Sequence, residues 1–115
     1  MPNKSALLIV VVRERGLRSA LVARLSLAGA DLVTLDDIDD PALERVIRSP
    51  AVLVIDEALA AEHSDAWLES LLADPRWRSL VLLTVDPPSQ TATDPRILRV
   101  AYSNAAAAIA ELVSL

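Results

Sequence analysis

Few side chains in this 115-residue sequence could do chemistry. Carboxylates come in adjacent pairs at Asp36-Asp37, Asp39-Asp40 and Asp56-Glu57. Two carboxylates share acid–base work, or hold a divalent cation, only when they converge on one point. Neighbours along a strand point to opposite faces, so these pairs are not expected to converge. Helix capping and solubility account for the Asp36–Asp40 group. His63 is the single histidine and falls in an expected loop, where it reads as a solvated surface residue. No serine lies in a nucleophile-elbow sequence, so a hydrolytic triad has no foundation. Cysteine is absent, which removes thiolate nucleophiles, thiolate metal sites and disulfides. The only glycines are Gly16 and Gly29, and no Walker A sequence occurs. A phosphate cradle built from close backbone approach is therefore not expected. Asp56 and Thr84 remain, each a polar residue ending an apolar run.

Those two positions depend on the elements around them. Ala6–Val12 is a continuous β-favouring apolar run, as in strands buried on both faces. Leu17, Leu21, Val22 and Leu25 recur at helical spacing, which predicts a helix over Gly16–Leu27 stopped by Gly29. Leu32–Leu35 reads as a second strand. Asp40-Pro41 starts a helix carrying Leu43, Val46 and Ile47, and Ser49-Pro50 closes it. Ala51–Ile55 is a third strand with Asp56 at its carboxyl end. Ser64 or Asp65 caps a helix carrying Trp67, Leu68, Leu71 and Leu72, which ends at Asp74-Pro75. Leu80–Leu83 is a fourth strand, followed by Thr84. Asp86–Pro95 reads as a loop. Ile97–Val100 is a fifth strand, and Ser103 or Asn104 caps a last helix with Ile109, Leu112 and Val113 inward. Alternation of strands and helices implies one α/β domain over residues 1–115, a parallel sheet with helices on both faces. Ligands of such sheets bind beyond the carboxyl ends of the strands. Here those ends are Val12-Arg13-Glu14, Asp36-Asp37, Asp56-Glu57, Thr84 and Ala101-Tyr102.

Bulk properties narrow the function classes. Apolar residues make up 53% and charged residues 23%, the profile of a folded rather than a disordered chain. The net charge of −5 repels phosphate backbones, so direct nucleic-acid binding is not expected. Ala6–Val12 is far shorter than the roughly 20 apolar residues of a membrane span, and no cleavage site follows it. A cytoplasmic chain without membrane contact is the expectation.

These residues resemble the receiver domain of two-component response regulators, over nearly the whole chain. The stretch LAGADLVTL around Gly29 is similar to the family's entry into its second strand. Counting on without a gap puts Asp56, in LVIDEAL, on the phospho-acceptor position. Thr84, in LLTV, then falls on the family's Ser/Thr position, 28 residues later. The resemblance implies a flavodoxin- and CheY-like three-layer sandwich, with a five-stranded parallel sheet in order 2-1-3-4-5. Three departures stand out. The family's two Mg²⁺-binding acidic positions correspond to Val12 and Arg13, with Glu14 next door. Its fifth-strand lysine corresponds to Ala101 or Tyr102. Its fourth helix is short or missing in the proline-rich connection.

Phosphoryl transfer to a carboxylate sets negative charge against negative charge, so it relies on metal and cation. The resemblance with these losses implies a non-phosphorylated pseudo-receiver, not an enzyme. Its role would be a protein-interaction module in bacterial signalling or transcription control. It needs no cofactor and works with a protein partner or an output domain of a longer regulator, or as a homodimer. Trp67 and Trp77 are expected in the core, with a role as contact anchors the alternative. An Arg13 guanidinium paired with Asp56 is one expected replacement for the metal, and a surface Arg13 is the other. Asp56 itself is open to a helix- or turn-capping role. Two other readings stay open. One is a phosphorylatable receiver using Glu14 and Asp36 or Asp37 as Mg²⁺ ligands. The other is a small-molecule sensor with an apolar pocket at the strand ends.

Overall fold

The computed structural model describes residues 7–35, 37, 51–63, 65–84 and 96–112. The strands are β1 (Leu7–Val11), β2 (Leu32–Thr34), β3 (Ala51–Asp56), β4 (Trp77–Thr84) and β5 (Ile97–Ala101). The helices described are α1 (Arg15–Leu27), α2 (Glu57–Ala61), α3 (Asp65–Leu72) and α4 (Tyr102–Leu112). All neighbouring strands pair in parallel, in the order β2-β1-β3-β4-β5. The expected α/β sandwich and strand order are those observed.

Burial on both faces explains the apolar runs. Leu7, Ile9 and Val11 face one side of the sheet with Leu53, Ile55 and Leu82, under Leu59 of α2 and Leu68 and Leu72 of α3. Leu8, Val10 and Val12 face the other with Val52, Val54 and Val81. There Leu21 and Leu25 of α1 and Ala105 and Ile109 of α4 cover them. Fully burying one such aliphatic side chain contributes about 1.5–3 kcal/mol. The central strands β1 and β3 are therefore the most costly to disturb. No helix among the described residues is long and apolar enough to cross a membrane.

Local chemistry sets the boundaries. Helix α1 begins at Arg15, because Glu14 caps it by accepting from the Leu17 N–H at 2.6 Å. It ends in a Schellman closure: Gly29 N–H donates to Ser26 O and Ala30 N–H to Leu25 O. Gly29 takes the left-handed conformation this requires, at φ 91°. Helix α3 is tied to the start of β5 by Arg96 Nη1, which donates to Leu72 O at 2.8 Å. Asp74 shapes the turn into β4 through the Arg76 backbone N–H at 3.0 Å and the Arg76 guanidinium. Those bonds to Arg76, side chain first, hold its carboxyl below the usual range.

Several expectations need correction. Strand β4 starts at Trp77, three residues before the expected Leu80. Trp77 is 4% exposed and packs in the core, as expected, rather than serving as a contact anchor. Trp67 is half-buried against the same core. His63 is half-buried rather than fully solvated: its ring stacks on Trp67, centroids 4.0 Å apart. Helix α2 was not anticipated. Asp65 is the first residue of α3 rather than its cap. Helix α4 starts at Tyr102 directly after β5, ahead of the expected caps Ser103 and Asn104. The Asp40–Ser49 helix, the Asp86–Pro95 loop with any fourth helix of the family, Asp36 and Val113 lie outside the described residues.

A Cβ on Gly29 meets no atom within 4 Å, so substitution there tests the backbone alone. Gly29→Ala should lower stability by about 1–2 kcal/mol, the cost of a left-handed L-residue, and Gly29→Asn by less. Urea unfolding monitored by tryptophan fluorescence reads both.

Candidate functional site

The carboxyl edge of the sheet gathers the residues singled out by sequence. Asp56 ends β3, the central strand, and is 2% exposed. A buried carboxylate must find donors or lose its charge. Asp56 finds two on the backbone. Its Oδ1 accepts from the Leu59 N–H at 2.9 Å, which makes it the N-cap of α2. Its Oδ2 accepts from the Arg13 N–H at 2.8 Å. Asp56 thus joins the end of β1 to the start of α2.

Tyr102 closes the site from the β5 side. Burial, then the charge of Asp56 and hydrogen bonding to it, push the phenol well above its ordinary pKa of 10.0. The charges of Glu14 and Glu57 push the same way. Where the resemblance leads one to look for a lysine, the structure offers a neutral, half-buried phenol. Ala101, the other matching position, is buried and has nothing to donate from its side chain.

Of the two expectations for Arg13, the surface placement is the one observed. Its backbone, not its guanidinium, holds Asp56. The guanidinium Nη2 bonds Glu62, just past α2, and lies 3.7 Å from Asp37 Oδ2. All three side chains are partly exposed, so this cluster contributes little to stability by itself. It engages the guanidinium of the residue that follows β1 and Val12. The expected Arg13–Asp56 ion pair is replaced by a backbone bond for a geometric reason. Position 13 follows a strand whose Val12 side chain is packed into the core, 1% exposed. Alternation then turns the Arg13 side chain to the opposite side.

The other positions divide clearly. Thr84 is 5% exposed at the end of β4, in register with Ala101. Glu14 is committed to the α1 cap rather than to a metal. Asp37 is held beside Arg13. No group of three or more His, Cys, Asp or Glu among the described residues is arranged to hold a metal ion. The geometry suits a locked structural carboxylate. Each Asp56 oxygen already accepts a backbone N–H, and the Tyr102 phenol beside it also feels the charges of Glu14 and Glu57.

Sequence reading missed α2, and with it Leu59 and Glu62. A signal was present: Asp56 precedes Glu-Ala-Leu-Ala-Ala, an N-cap followed by strong helix formers. Tyr102 was noted only as a position lacking lysine. Its approach to Asp56 depends on α4 starting without an intervening turn.

Two measurements test this site. Asp56→Ala removes a cap and strands a second N–H, so it should cost about 2–4 kcal/mol in urea unfolding. Asp56→Asn should cost less, since one amide oxygen can still serve Leu59. Tyr102 is the only tyrosine, so an alkaline absorbance titration reads it alone. Its folded pKa is raised, so its stabilising contribution is complete below pH 10.0 and declines above it, as the unfolded chain ionises first. The folded chain should show no tyrosinate near pH 10.0, whereas the chain in urea should be about half ionised.

No protein-family model, curated protein or solved structure matches this chain.

Proposed function

We propose that this chain is a receiver-like domain that is not phosphorylated and acts as a protein-interaction module in bacterial signalling or transcription control. The observation that carries this reading is the double use of Asp56. A phospho-acceptor needs a cation to gather the incoming phosphoryl group, and each N–H already bonded to its oxygens has to be shared or released. Asp56 has Leu59 N–H on one oxygen and Arg13 N–H on the other. The Arg13 guanidinium is held by Glu62. The sheet order and the positions of Asp56 and Thr84 support the ancestry, and the partners of Asp56 support the lost chemistry.

Under this reading the domain has one resting state at the strand ends. Its output comes from what binds its helix faces. It works inside the cell, without a bound cofactor, on a protein partner or on an output domain of a longer regulator. Its negative charge disfavours direct nucleic-acid contact.

Beryllofluoride with Mg²⁺ mimics a phosphoryl group on a receiver aspartate. Added to this chain, it should leave tryptophan fluorescence and the amide resonances of Arg13 and Leu59 unchanged. Saturable binding that Asp56→Asn abolishes would establish the phosphorylatable alternative instead.

A further inference from the structure

Helix α1 differs in charge from helices α2 and α3. Helix α1 carries Arg15, Arg18 and Arg24 and no acidic residue, in a chain of net charge −5. Helices α2 and α3 carry Glu57, Asp65 and Glu69 and no basic residue. Between α1 and α4 runs a groove of about 300 Å³. Leu17, Ala20 and Leu21 form its α1 wall, and Tyr102, Ser103 and Ala106 its α4 wall. Arg24 stands on the α1 wall. One turn further along the same face is Leu27, 89% exposed and the only large exposed hydrophobic among the described residues.

We propose that this groove docks an amphipathic helix of another protein whose apolar ridge is flanked by acidic residues. This deepens the interaction-module reading and rests on it. A helix laid along a groove is read through anchors at i, i+3, i+4 and i+7. The apolar floor and Leu27 accept such a ridge, and Arg24 selects acidic flanks. A second copy of this chain fits poorly. Isologous pairing across the groove sets Arg24 against Arg24. Head-to-tail pairing brings up the acidic helices α2 and α3, but among the described residues these present no exposed apolar ridge, since Leu68 and Leu72 are buried. Nucleic acid has no use for the apolar floor. The groove also touches the Asp56 site, because Tyr102 belongs to both.

The test is a displayed library of amphipathic helical peptides, selected against the full chain. The leucine ridge is constant, and the flanking positions are free to be acidic, neutral or basic. Acidic flanks should be enriched. The best peptide should shift the amide resonances of Leu17, Ala20, Arg24, Ser103 and Ala106. Arg24→Glu should weaken it at least about tenfold, and Ala20→Gln, which fills the floor, should weaken it too. Glu69→Lys on α3 should leave it unchanged. Ala20 and Arg24 are exposed, so both variants should fold, which urea unfolding checks. The proposal is overturned by no enrichment, by enrichment of neutral or basic flanks, or by shifts centred elsewhere. Indifference to Arg24→Glu overturns it as well. So does self-association of the chain through these residues, or preference for a mixed-sequence DNA duplex over the peptides. Beryllofluoride with Mg²⁺ is run on the same sample. Capture at Asp56 overturns the unphosphorylated reading and leaves the groove standing, whereas failed selection does the reverse.

Discussion

The Asp56 carboxylate holds the carboxyl edge of the sheet in one arrangement, because its two oxygens accept N–H groups from opposite neighbours. Leu59 supplies one from the first turn of α2 and Arg13 the other from the end of β1. Hydrogen bonds to an ionised group are stronger than neutral ones, and a buried donor left without its acceptor costs more than the bond is worth. The arrangement is therefore difficult to leave by small steps. A cation or phosphoryl group at Asp56 would have to displace or share these donors. Asp56 is the fastener of the strand ends.

The fold was legible in the sequence because burial on both faces demands continuous apolar runs, and Ala6–Val12 and Ala51–Ile55 meet that demand. Alternation of such runs with helical spacing leaves few topologies. Boundaries were less legible where one residue served two patterns. Trp77, Arg78 and Ser79 alternate in and out as a strand should, yet Arg78 broke the run that marked β4. A five-residue helix such as α2 is too short to show a period, so only its cap could announce it. The site was legible as a set of positions but not as a set of bonds. That Arg13 would serve Asp56 through its backbone depends on which way one side chain leaves a strand. That Tyr102 would face Asp56 depends on a missing turn. Neither is written in residue types.

Charge follows the same division between positions and partners. The acids near the site are each engaged in a structural role. Glu14 caps α1, Asp56 caps α2, and Glu62 and Asp37 hold the Arg13 guanidinium. Carboxylates spent on helix ends and surface cations are not available to surround a metal. A concentration of acidic residues at the carboxyl edge of a parallel sheet would ordinarily suggest a cation site. In this chain Glu14 and Asp56 mark the points where helices start, where N–H groups are unsatisfied and negative charge is favoured, while Glu62 and Asp37 serve the Arg13 guanidinium.

A domain with a locked edge can still transmit information, but the source of the free energy must change. A ligand shifts an equilibrium only by its differential affinity for two states. Phosphorylation would supply that difference at Asp56 itself, by adding charge to the aspartate. Without it, the difference has to come from a contact that reaches the edge from a helix face. Tyr102 is placed for this, since its ring forms part of the α1–α4 groove and its hydroxyl meets the Asp56 carboxylate. Burial and the Asp56 charge keep the Tyr102 phenol neutral, so it offers no cation to an incoming anion. It leaves the edge responsive to packing around the ring. Tyr102 is thereby the residue shared by the helix groove and the strand ends.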